Sequence, residues 1–130
     1  MGQTYLVDTN IAIYFLDGLL SDEALPFVKT VIESGPVLSV ATQIELLGWR
    51  FPTPEKRDLV EAFVRQCTIL PLTDTVARQA IAIRQVRKIK LGDVIIAATA
   101  LVHNLTLVTR NVSDFERIDG LTIVNPFAPS

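Results

Sequence analysis

TYLVDTN, residues 4–10, is an apolar run that stops abruptly at a carboxylate, Asp8, and continues with two small polar residues. It reads as a short buried strand leading straight into a helix, with Asp8 at the junction. Working outward, the pattern repeats. Apolar runs rich in β-branched residues at 4–7, 37–40, 68–72, 106–109 and 121–124 alternate with longer segments of helical period. The runs are short and apolar on both faces, as parallel strands covered by helices should be. The alternation predicts an α/β fold, a central parallel sheet of about five strands with right-handed crossovers and helices on both faces.

Local signals mark the helices. Thr53 precedes Pro54, Thr73 and Asp74 precede VARQAIAIRQV, and Ser113 precedes DFERI, all of them start signals. Asn104 and Gly35 stand where helices should stop.

The 130 residues are 49% hydrophobic and 20% charged, with a mean hydropathy of +0.38, the profile of one rather apolar domain spanning 1–130. The longest aliphatic stretch, VIIAATALV at 94–102, is about half the length of a membrane span, so no membrane association is expected. The first residues lack the charged start and apolar core of a secretory signal, which points to the cytoplasm. Cys67 is the single cysteine, ruling out an internal disulfide or a thiolate zinc site; it reads as a buried apolar thiol. The formal charge of -2 does not advertise a nucleic-acid binder. Between Thr75 and Gly92, however, there is no acidic residue, while Arg78, Arg84, Arg87, Lys88 and Lys90 all fall there. That window suits either a solvated helix face or a track for a phosphate backbone. Arg110, at a strand exit, is a further candidate for such a track.

In open α/β sheets ligands bind outside the carboxyl ends of the strands, which makes the strand exits the positions to inspect. Asp8 ends the first strand, and Glu45 lies just past the second, in what reads as the first turn of the next helix. Asp93 opens DVIIAATAL, and Asp114 opens the short helix after LVTRN. Each has a structural explanation: Thr42 to Glu45 has capping-box spacing, Asp93 and Asp114 sit near helix N-termini, and Asp8 suits an N-cap. Together they imply a crowded, partly buried carboxylate cluster. Two carboxylates ~4 Å apart repel by about 4 kcal/mol at an effective dielectric of 20, so the cluster must take up protons or bind a cation. Oxygen ligands without His or Cys select Mg²⁺ or Mn²⁺, and such a site suits phosphodiester hydrolysis by metal-activated water.

The segments LVDTNIAIYFL, ATQIELLGW, KLGDVIIAATAL and LVTRNVSDFERIDGLTIVNPF, in this order and spacing, resemble the PIN-domain ribonucleases, most closely the VapC toxins of toxin–antitoxin pairs. The resemblance implies a three-layer α/β/α PIN-like fold and a Mg²⁺- or Mn²⁺-dependent endoribonuclease. It makes Asp8, Glu45, Asp93 and Asp114 the catalytic acids, with Asp8, Asp93 and Asp114 as metal ligands. Asn10, Thr109 and Asn111 become supporting polar groups. Gly92 departs from the Pro or Ala the family often has before the third acid. The family further implies an RNA substrate, a homodimer and a VapB-like antitoxin covering a hydrophobic groove. IAIYFLDGLL at 11–20 and IELLGWRF at 44–51 offer apolar material for a groove, with Trp49 and Phe51 as anchors, or for the core.

Other functions fit less well. A phosphoacceptor receiver domain needs two adjacent acids after the first strand and a Lys after the last, where this chain has Asp8-Thr9 and Thr109-Arg110. A haloacid-dehalogenase-like phosphatase needs a second Asp where Asn10 stands. His103, the single histidine, lies at a helix end, which argues against Ser-His-Asp hydrolysis. A PIN scaffold without catalysis, serving only RNA binding, and a PIN nuclease outside any toxin pair remain the alternatives.

Overall fold

The computed structural model describes residues 4–127. Its strands are β1 (Tyr5–Val7), β2 (Val37–Ser39), β3 (Thr68–Leu70), β4 (Thr106–Val108) and β5 (Ile123–Val124), all parallel, in the order β3-β2-β1-β4-β5. The helices are α1 (Thr9–Leu16), α2 (Leu25–Glu33), α3 (Val40–Leu47), α4 (Pro54–Arg65), α5 (Asp74–Val86), α6 (Leu91–Val102) and α7 (Val112–Phe115). The expected parallel α/β sheet with helices on both faces is present, each expected strand included.

Alternation along three-residue strands divides the core in two. Leu6, Val37 and Leu107 face one way, into a core shared with Val76 and Ile83 of α5, Ile96 of α6 and Phe115 of α7. Val7, Leu38 and Val108 face the other way, against Ile11 of α1, Val28 of α2 and Phe63 of α4. α3 serves both cores, through Ala41 and Leu46. The longest aliphatic stretch is α6, enclosed on nearly every side, and no helix among the described residues is long and apolar enough to cross a membrane.

The chain runs outward from β1 through β2 to β3, then returns to lay β4 on the other side of β1. The strand order therefore reverses between β1 and β4, where Tyr5, Leu6 and Val7 pair with Thr106, Leu107 and Val108. A crevice at their carboxyl ends follows from that reversal.

The helix signals are mostly where they were expected. Thr53 and Thr73 cap α4 and α5 through side-chain oxygens that accept from Lys56 N–H and Val76 N–H. Gly35 and Asn104 take the left-handed conformation after α2 and α6, with φ of 89° and 57°. Two expectations are corrected. Ser113 lies inside α7, whose N-cap position is Asn111. Glu45 does not form a capping box in a first turn: β2 passes directly into α3 at Ser39, whose side chain accepts from Thr42 N–H at 3.2 Å, so the helix begins earlier and Glu45 stands in its second turn. Cys67 is half-buried; its thiol donates to the Phe63 carbonyl, and burial pushes it up to about 11.

Candidate active site

Asp8 occupies the floor of the crevice. It is 3% exposed and follows β1 in extended conformation as the N-cap of α1. One carboxylate oxygen accepts from the Thr9 backbone N–H at 2.8 Å, and the other accepts from the Thr109 hydroxyl, at the end of β4, at 2.7 Å. The capping reading of Asp8 is therefore realised, by a side chain that also stands at the strand exit. Thr109 is itself fully buried, and its oxygen accepts from the Asn111 N–H at 3.0 Å, tying the β4 exit to α7.

Glu45 is oriented by Thr9, a neighbour that no local sequence signal singles out. The Thr9 hydroxyl donates to Glu45 Oε1 at 2.5 Å and also stands 2.9 Å from the Thr42 hydroxyl, fully buried on α3. Since Thr9 has one proton, already given to Glu45, Thr42 is the donor in that second bond. The other oxygen, Glu45 Oε2, lies where a Cβ on Gly92 would approach to 3.2 Å. The absent side chain at Gly92 brings the first turn of α6 close to this carboxylate, and Asp93 lies in that turn.

Electrostatics connect the four acids. Burial pushes the Asp8 carboxyl up to about 6; the Thr109 and Thr9 hydrogen bonds pull down, while the charges of Asp93 and Glu45 add to the rise. Asp93 is raised as well, first by burial and then by Asp114 and Glu45, with Lys90 pulling the other way. Repulsion thus links the four at one edge of the sheet, with Asp93 facing Asp8, Glu45 and Asp114, and Asp8 also facing Glu45. Their oxygens do not converge on a point: among the described residues no three His, Cys, Asp or Glu side chains form a ready-made metal cage.

The supporting residues separate. Thr109 holds Asp8 directly, whereas Asn111 is exposed and contributes through its backbone. Asn10 lines a groove of about 210 Å³ together with Thr9, Ile13, Glu45, Leu46 and Trp49. Lys56, which pairs with Asp17, also borders this groove, and Trp49 is 57% exposed at its rim.

The basic window separates too. Arg78 pairs with Asp74 on its own helix at 2.9 Å. Arg84, Arg87, Lys88 and Lys90 instead line a 460 Å³ pocket whose other walls include Asp93 and Asp114. None of the four is in an ion pair among the described residues. Arg84 is fixed by donating Nε and Nη2 to the Ile89 carbonyl at 3.2 and 3.1 Å. Arg87 donates Nη2 to the Asp114 carbonyl at 3.1 Å, while its buried Nε and Nη1 have no partner among the described residues. Arg110 is not part of this pocket; its guanidinium lies 4.5 Å from the Phe127 ring centre and 5.7 Å from that of Tyr14.

Residues 5–121 match the PIN domain family. The chain is 34% identical over 129 residues to ribonuclease VapC10 of Mycobacterium tuberculosis, covering 95% of this chain and 92% of that protein. Among solved structures it is similar to a toxin–antitoxin complex from Klebsiella pneumoniae, with TM-score 0.75 and 31% identity over 95% of this chain and 98% of that one. It is also similar to DNA-bound VapBC from Salmonella typhimurium, with TM-score 0.82 and 25% identity over 96% and 99%. A family match over residues 5–121 and a relative 34% identical over 95% of the chain leave one conclusion: the chain belongs to the PIN domain family.

Proposed function

We propose that this protein is a Mg²⁺- or Mn²⁺-dependent endoribonuclease acting in the cytoplasm as a homodimer, the toxin of a VapBC-type pair. One observation carries the reading: four acids from four different elements are coupled at the strand-order reversal, and two of them, Asp93 and Asp114, wall a pocket lined by four cations that have no ion-pair partner among the described residues. An acidic site of this kind repels a polyanion unless cations stand beside it, and here they do. The similarity to a protein named as a ribonuclease supports RNA as the polymer.

The residues fit a hard divalent cation. Their donors are carboxylate oxygens only, and the two raised carboxyls, Asp8 and Asp93, resist ionising together without a counter-charge. Asp8, Asp93 and Asp114 would hold the ion, with Glu45 beside them. Bound there, the cation supplies Lewis-acid polarisation of the phosphodiester and activation of water. The chain's own groups fix the geometry. Thr109 and the Thr9 N–H hold Asp8 from two sides, the Thr9 hydroxyl holds Glu45, and Arg84, Arg87, Lys88 and Lys90 offset substrate charge.

Partnering is supported by the groove beside Glu45, whose apolar wall of Ile13, Leu46 and Trp49 suits a segment of a VapB-like antitoxin. Purified protein should cut total RNA with Mg²⁺, and the cutting should vanish with EDTA and in Asp8→Ala. Activity surviving both would sink the metal mechanism; no cutting of any RNA would favour the silent scaffold. An adjacent short reading frame encoding a small protein that co-purifies with this chain is the expected sign of the toxin pair.

A further inference from the structure

We propose that Arg110, laid on Phe127 beside Tyr14, is a stacking platform for one unpaired nucleobase of the substrate; this rests on the ribonuclease reading above. Arg110 directly follows Thr109, whose hydroxyl touches Asp8, so the platform rises from the edge of the acid cluster itself. Its guanidinium centre lies 4.5 Å from the Phe127 ring centre and 5.7 Å from the Tyr14 ring centre, and the two rings meet edge to face at 5.8 Å. Those rings, not a carboxylate, orient the side chain: Arg110 forms no ion pair among the described residues.

The residue is nevertheless exposed, while both rings are half-buried. An arginine whose sole task was to pin the chain after β5 would be expected to lie covered by what it pins. A planar guanidinium backed by an aromatic ring and open on its outer side offers what a splayed-out base stacks on.

The platform's place in the fold suits the same role. Phe127 packs with the core of α1, α2 and α4, whereas the pocket of Arg84, Arg87, Lys88 and Lys90 belongs to α5 and the approach to α6. Platform and basic pocket thus come from the two opposite helical layers, with Asp93 in the pocket wall and Asp8 beside Thr109 at the foot of the platform. A strand whose phosphates lie in the basic pocket crosses the acids to reach the platform, and only an unpaired strand can release a base there. The strand is then held on one side by charge and on the other by the stacking of one base on Arg110.

The test uses the full chain carrying Asp8→Asn, with Mg²⁺, and short oligoribonucleotides bearing one 2-aminopurine, either unpaired or annealed to a complement. The unpaired oligomer should bind with quenched fluorescence and the duplex should bind weakly. Adding Arg110→Ala should abolish the quench and weaken binding roughly 5- to 150-fold, the span expected for one stacked base. Adding Arg110→Lys should keep the salt dependence of binding yet still lose the quench. A quench that persists in Arg110→Ala, or one that Arg110→Lys fully restores, overturns the platform; the second outcome would make Arg110 a phosphate contact. Lowered melting temperature with unchanged quench and affinity would make it a structural clamp and also overturn the proposal. Cleavage by the unaltered protein with no change of KM in Arg110→Ala overturns the platform alone, whereas neither binding nor cleavage of any RNA overturns the ribonuclease reading and the platform with it.

Discussion

Asp8 titrates near 3.8 in an unfolded chain and near 6 in the fold, because burial penalises its charge more than two hydrogen bonds favour it. Between those values the folded protein holds more protons than the unfolded one, so stability falls as pH rises through that window, by about 3 kcal/mol in total. Asp8→Asn should therefore stabilise the metal-free protein by about that amount at pH 8 and by nothing below pH 4, while abolishing cleavage. Urea unfolding at the two pH values is the check, and equal stabilisation at both would contradict the burial argument. Thr9→Val removes the hydroxyl that holds Glu45 and accepts from Thr42; it should cost roughly 1–2 kcal/mol and reduce cleavage more than tenfold, with Thr9→Ser restoring both. Asp8 was legible as a strand terminus ending in a charge. Thr9 was not, because its partners lie 33 and 36 positions away and nothing in a sequence records that hydroxyls will meet.

Among the elements, caps with a fixed local spacing were readable: Thr53 and Thr73 each satisfy a backbone donor three residues on. The start of α3 was not, because two overlapping signals compete there and the strand's length decides between them. Ser39 is both the last residue of β2 and the cap of α3. The start of α6 yields a sharper test. Gly92 in a first helical turn is worse than alanine by about 0.5–1 kcal/mol, but an added Cβ would stand 3.2 Å from Glu45 Oε2. Glu45 is an exposed residue with a long flexible side chain and can give way. Gly92→Ala should raise the urea midpoint while weakening Mg²⁺ binding several-fold in calorimetric titration. A lower midpoint would show that Glu45 is held more rigidly than its exposure implies.

For the molecule as a whole, the layers and the parallel sheet were legible because strand and helix periods differ and both faces are apolar. The order β3-β2-β1-β4-β5 was not: short strands with similar apolar sequences carry no label for their neighbours. That order places the acids of four elements in one field, and a cation there should bind the fold far better than the unfolded chain. Millimolar Mg²⁺ should raise the melting temperature at pH 8 and much less at pH 5, where Asp8 is largely protonated; EDTA should reverse the gain. Removing one pocket cation, as in Lys88→Ala, should make the dependence of RNA affinity on salt shallower by about 0.7 in the log–log slope.

The hydrogen bond between Thr109 and Asp8 joins residues 101 positions apart. Closing a loop of that length carries an entropy cost before the contact repays it. During synthesis Asp8 and Glu45 leave the ribosome well before Asp93, Thr109 and Asp114 exist to meet them. On the ribonuclease reading, the growing chain is harmless to the messenger that encodes it until nearly the whole sequence has emerged.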